Sequence, residues 1–176
     1  MTAALQFAAH VAAGLVLVAG IGKLVRPTLM RDAIRLRMPA ATWLVRGIGA
    51  GEVALSLAVL LLGGRALFAL LAGTYLAFTV VASLQARSGR SCGCFTGSSN
   101  AIGWSHLATN VVAAGVAAAA AVAHAPGLGT LLPIGMVSAT ATLAVFALAV
   151  VLARSLLTDL SEVLAARSTV LGGSHP

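Results

Sequence analysis

The sequence predicts an all-α polytopic membrane helix bundle, and three observations carry that reading. Hydrophobic residues make up 60% of the 176 residues and charged residues only 9%, with a mean hydropathy of +1.03; a soluble domain has about a quarter of its residues charged. Apolar runs recur at close to the about 20 residues that a helix needs to cross a bilayer. Ten Arg and one Lys stand mostly between those runs rather than inside them. The net charge of +7 comes with no basic tract or basic amphipathic face, so the lipid bilayer, and not nucleic acid, is the expected partner.

The elements follow in order. Residues 2–22 contain no charge. A secretory signal would open on basic residues and close on a cleavage motif, whereas Lys23 and Arg26 follow this run, so it reads as a retained helix. Between Arg26 and Pro39, Leu29, Ala33 and Leu36 share one face with the Arg residues elsewhere. Pro27 opens and Pro39 closes a short amphipathic helix suited to the headgroup region. The second run, 43–64, is broken by Arg46 and Glu52; the third, 66–84, is clean. After an interval rich in Gly, Ser and Cys, an Ala-dominated run spans 104–125 and a fifth covers 131–153, its polar residues being chiefly Ser138, Thr140 and Thr142. In the tail, Leu156, Leu160, Val163 and Leu164 oppose Asp159 and Glu162, a second amphipathic pattern. Small residues let membrane helices approach. The Gly47/Gly51 pair, the Ala113, Ala117, Ala121 stripe and the Ala8/Ala12 pair are the expected close contacts.

Basic residues near short loops favour the cytoplasm. Lys23, Arg26, Arg31, Arg35, Arg37, Arg46, Arg87, Arg90, Arg154 and Arg167 fall on one side of the five-run topology, and Arg65 alone on the other. This bias predicts an amino terminus outside and a carboxyl terminus in the cytoplasm of a multi-pass cell-membrane protein. It puts the Cys-bearing loop on the cytoplasmic face.

Chemistry is sought in residues that a membrane helix rarely holds. Cys92 and Cys94, the two cysteines of the chain, stand two apart in Ser91-Cys92-Gly93-Cys94-Phe95. A bridge between such close residues is strained, and strained bridges exchange readily. Arg87 and Arg90 favour the reactive thiolate. Incidental reduced thiols are the plain alternative. A structural zinc lacks ligands, with only His106 near in sequence, while a two-thiolate site for a soft ion such as Cu(I) stays open. Glu52, about ten residues into its run, should face the bundle interior and be paired or neutral, with Lys23 and Arg46 as possible partners. Proton transfer beside thiol chemistry and a structural helix lock are its two readings. His106 and Asn110 share one helix face; His106 is close enough in sequence to the cysteines to act on a thiol, and Asn110 suits a helix-bridging role. Trp104 reads as an interfacial anchor, and His10 and His124 as residues near membrane boundaries.

Gly20-Ile21-Gly22-Lys23-Leu24 with Pro27, Gly49 with Glu52, Cys92-Gly93-Cys94-Phe95 with Gly97, and Gly103-Trp104 with Asn110 together resemble the methylamine-utilisation protein MauE family, within the wider DoxX-like membrane proteins. The resemblance covers roughly residues 1–125. Thr96 is inserted where the family typically reads Cys-Gly-Cys-Phe-Gly, and Thr109 stands where an Arg often precedes the Asn. The resemblance implies a four-helix DoxX/MauE-like core over residues 1–125, leaving 126–155 as an additional transmembrane helix and 156–176 as a cytoplasmic amphipathic tail. It also implies a role beside thioredoxin-like proteins in forming or delivering disulfides as exported proteins mature.

The expected function is a membrane thiol:disulfide oxidoreductase. Cys92 and Cys94 are the redox pair, Glu52 and His106 the proton handlers, and Lys23 the charge partner, with Asn110 and Trp104 in structural roles. A membrane quinone is a candidate electron acceptor. Delivery to exported substrates and a cytoplasmic Cys loop pull apart: either electrons cross the bundle or cytoplasmic thiols are served. Two alternatives are a non-catalytic scaffold for a thioredoxin-like protein and a transporter of soft metals or thiol compounds.

Overall fold

The computed structural model describes residues 2–33, 41–87, 104–128, 144–153 and 155. Among them every regular element is helical: α1 (Ala3–Val25), α2 (Pro27–Ala33), α3 (Ala41–Leu61), α4 (Arg65–Arg87), α5 (Trp104–Val122) and a shorter apolar helix α6 (Ala144–Ala153). Thr2 caps α1, its hydroxyl accepting from the Leu5 N–H at 3.4 Å. The helix runs past the expected end at Gly22 to Val25 because Lys23 is neutralised inside the bundle rather than left at the boundary. Pro27 opens α2 as expected; the rest of that amphipathic stretch, 34–40, lies outside the described residues, as do most of the fifth run and the tail. Arg65 and Arg87 stand, exposed, at the two ends of α4. Within the described residues α1, α3 and α4 are long and apolar enough to cross a membrane, so the chain is a multi-pass membrane protein.

Two antiparallel pairs build the bundle. α1 packs most extensively on α3 and α4 on α5, while α5 against α1 and α4 against α3 close the square. α1 and α4 therefore face each other across the axis. The α1/α3 contact is backbone on backbone. A Cβ built on Gly20 would come to 2.9 Å from the Gly49 carbonyl, and one on Gly49 to 2.8 Å from the Gly20 carbonyl. These two glycines, not Gly47 and Gly51, carry the approach. Gly47 and Gly51 are exposed with open space around them, because they fall on the side of α3 turned away from α1. Ala113, Ala117 and Ala121 are buried as expected; on α1 the packing passes through Ala9, Ala12, Ala13 and Val16, while Ala8 is exposed. α6 lies on α1, with Val150 and Phe146 closing over Gly14 and the Phe7 and Phe146 rings meeting edge to face at 6.3 Å.

The turn from α3 to α4 is pinned to the end of α5. Gly63 and Gly64 both adopt positive φ (65° and 93°). Gly63 forms an isolated bridge with Pro126, and the Gly64 N–H donates to the Ala125 carbonyl at 2.7 Å. This fixes one end of the bundle, called here the clasp end. α1 and α4 run away from it in parallel, so Lys23 lies toward the opposite end, where α4 finishes at Arg87 and α5 starts at Trp104. Lipid-compatible side chains cover the outside, among them Leu57, Leu61, Leu70, Leu76, Val80, Leu84, Val111 and Val112.

Candidate functional site

The charged centre of the bundle comes from α1 and α3. The Lys23 ammonium donates to both oxygens of Glu52, at 2.7 and 2.6 Å, with the two residues 3% and 6% exposed. The Gly20/Gly49 contact makes this possible, since helices at that separation bring Glu52 Cβ to 3.0 Å from where a Gly20 Cβ would stand. Lys23 must lean toward the clasp end to reach the carboxylate, and Cβ bonds in a helix tilt toward its amino terminus. Phe78 of α4 offers its ring face to the same ammonium, 5.1 Å from the centroid. A buried charge in lipid is tolerated when paired and hydrogen-bonded, and both conditions hold here. Arg46, the other possible partner of Glu52, is exposed and stacks over Trp43 at 5.5 Å.

Tyr75, the single tyrosine of the chain, crosses the axis from α4 and donates to the Ala12 carbonyl of α1 at 2.7 Å. Its ring meets Phe78 edge to face at 6.0 Å. Ser56 lies one turn from Glu52 on α3, fully buried. His10, expected near a membrane boundary, is 0% exposed instead. It sits on the inward stripe of α1, against the Phe68 ring at 5.7 Å, because α1 begins early enough to place it in the interior. His124 is exposed in a left-handed conformation (φ 50°) beyond α5.

Of the residues singled out by sequence, the structure brings Lys23 and Glu52 into direct contact. Cys92 and Cys94 lie outside the described residues. Trp104 and His106 fall in the first turn of α5, their side chains likewise outside what is described, and Asn110 is half-buried one turn further on. The segment carrying the cysteines leaves α4 at Arg87 and enters α5 at Trp104, both at the end opposite the clasp. Sequence reasoning missed His10, Ser56 and Tyr75. A signal for each was present: His10 shares a face with Ala13, Ser56 stands four residues from Glu52, and Tyr75 is centred in an apolar run.

Compared with known protein families, residues 1–124 match the family described as methylamine utilisation protein MauE. No curated protein and no solved structure matches the chain.

Proposed function

This chain belongs to the MauE family, and from that premise we propose that it is a membrane thiol:disulfide oxidoreductase, or a component of a disulfide relay, acting through Cys92 and Cys94 on a thioredoxin-like partner. A partner thiolate attacks one sulfur of the Cys92–Cys94 disulfide, giving a mixed disulfide and releasing the other sulfur. The second partner thiolate then resolves it. The partner leaves as disulfide, and two electrons and two protons rest on Cys92 and Cys94. Re-oxidation passes both to a two-electron acceptor, for which a lipid-soluble quinone is the chemical class available in a bilayer. In this reading Glu52 takes up and returns a proton, Lys23 holds its charge, and His106 serves the thiols at the start of α5. The same charge count that orients the helices puts this exchange at the cytoplasmic face of the cell membrane, with the amino terminus outside.

The observation that supports this reading most is the buried Lys23–Glu52 pair, an expensive arrangement to keep in lipid, in the half of the bundle from which the cysteine segment leaves. The test is turnover of a reduced thioredoxin-like protein by the purified chain in nanodiscs with a soluble quinone. The intact chain is expected to cycle, and Cys92→Ser and Cys94→Ser are each expected to stop it. The pair is expected to titrate between roughly −270 and about −120 mV, the range of catalytic pairs. Binding of the partner that survives in both variants without any turnover by the intact chain would favour the scaffold instead.

A further inference from the structure

His10, Gln6 and Ser56 have no place in the redox reading, yet each holds a buried polar atom with no hydrogen-bond partner: His10 Nε2, Gln6 Nε2 and Ser56 Oγ. The histidine is the most telling. Its Nδ1 lies 2.7 Å from the Gln6 carbonyl, which can only accept, so Nδ1 carries the hydrogen. In the neutral ring Nε2 is then a bare lone pair in the interior of a membrane bundle. Gln6 lies one turn away on the same face and offers unmet amide hydrogens. A water between them would donate to His10 Nε2 and accept from Gln6 Nε2.

Ser56 repeats the pattern. Hydroxyls in membrane helices ordinarily return to the carbonyl four residues back, and on α4 Thr74, Thr79 and Ser83 all do so, at 2.9, 2.9 and 2.7 Å. Ser56 does not, although it is completely buried. Its level along the axis follows from the helix register. Glu52 stands beside Gly20, so in the antiparallel α1/α3 pair Ser56 stands near Val16. The Tyr75 hydroxyl is at the Ala12 carbonyl, and His10 and Gln6 follow toward the clasp end. Successive stations are thus separated along the axis by two to four residues of helix, about 3 to 6 Å of rise. Two waters in line, making three hydrogen bonds of about 2.8 Å, span the longer of these gaps, and one water spans the shorter.

We propose that the bundle axis holds a file of internal waters, running from Gln6 at the clasp end past His10, Tyr75 and Ser56 to the Lys23–Glu52 pair. Protons reach that pair by this route, from the end opposite the cysteine segment. The proposal needs neither cysteine, so it stands or falls separately from the redox reading.

Lys23 is the single lysine of the chain, which makes its ammonium a clean probe. With lysine labelled by ¹⁵N at Nζ and the protein in nanodiscs, hydrogen–deuterium exchange at Lys23 is measured for the intact chain, His10→Phe and Ser56→Ala. Each substitution keeps the bulk and removes one station. Exchange is expected to slow by about tenfold or more in both, since exchange at a buried group needs water to reach it. Unchanged exchange in both folded variants would overturn the file. A second measurement uses Ser56→Cys and, separately, Val45→Cys in a chain with Cys92→Ser and Cys94→Ser. Both positions are fully buried, but Val45 lies beyond the Lys23–Glu52 pair and off the file. Silver ion is expected to consume the Ser56→Cys thiol at least about tenfold faster, because thiol reactivity follows access, and His10→Phe should remove that advantage. Equal rates at the two positions would refute the proposal even if the alanine and phenylalanine variants failed to fold.

Discussion

Removing the charge of Lys23 should be among the most disruptive single changes in the bundle. The ammonium holds both oxygens of Glu52 at 2.7 and 2.6 Å with almost no solvent access. Lys23→Met keeps most of the stem and its contact with Phe78 but leaves the carboxylate buried without a partner. Breaking a buried pair in this way costs about 3–5 kcal/mol, which is roughly two to three and a half powers of ten in the folding equilibrium. The double substitution Lys23→Met with Glu52→Leu leaves no charge to strand. Apolar replacement of a whole buried pair is often neutral, so the double variant should lie within about 1.5 kcal/mol of the intact chain, an error range set by repacking. The assay is reversible unfolding in mixed lipid–detergent bicelles titrated with dodecyl sulfate, followed by tryptophan fluorescence, for all four members of the cycle. The reasoning fails if Lys23→Met alone costs under about 1 kcal/mol, or if the two single costs simply add, since additivity means no interaction to break.

Three further outcomes are expected. Gly49→Ala should destabilise by about 1–3 kcal/mol through overpacking against the Gly20 carbonyl, whereas Gly47→Ala and Gly51→Ala, open to lipid, should be neutral or stabilise by up to about 1 kcal/mol; the same bicelle titration ranks them. Glu52→Gln keeps shape and hydrogen-bonding capacity but no carboxyl proton. It should lower redox turnover by about 10²-fold or more if Glu52 is the proton handler, and full turnover across pH would leave it a purely structural residue. An impermeant thiol reagent should miss Cys92 and Cys94 on intact cells and label them in inverted vesicles; labelling from outside would reverse the orientation drawn from the charge count.

Much of the architecture is written in properties that act locally. Run lengths and the spacing of charges anticipate α1, α3, α4 and α5 to within a few residues, because in lipid each backbone polar group must be met inside its own segment. Partner choice between helices is less legible. Gly47/Gly51 and Gly20/Gly49 are equally good as pairs of small residues, and only the rotation of α1 on α3, which depends on where Lys23 meets Glu52, decides between them. The buried carboxylate was readable because a charge in an apolar run has few places to go. His10 was not, since a histidine eight residues into α1 reads equally well as a boundary residue until the start of α1 and the position of Phe68 are known.

The division into two chain-adjacent pairs also bears on how this protein enters its membrane. Each pair is made of long helices that follow one another in the chain, so its tightest contacts are available as soon as the second helix emerges. For α3 this matters more than for α4: an isolated helix with Glu52 near its middle carries a charge whose insertion penalty is of the order of the +2.5 to +3.5 kcal/mol measured for central ionised residues. Lys23 relieves that penalty only if α1 is still close by when α3 leaves the translocon. Insertion of α3 should therefore depend on α1, and a chain with Lys23→Met, probed by glycosylation sites placed after α3, should show α3 left out of the bilayer more often. The α4/α5 pair carries no comparable debt to its neighbours. It can assemble on its own alanine seam and then dock, the Tyr75 hydroxyl tying it to the Ala12 carbonyl of the first pair.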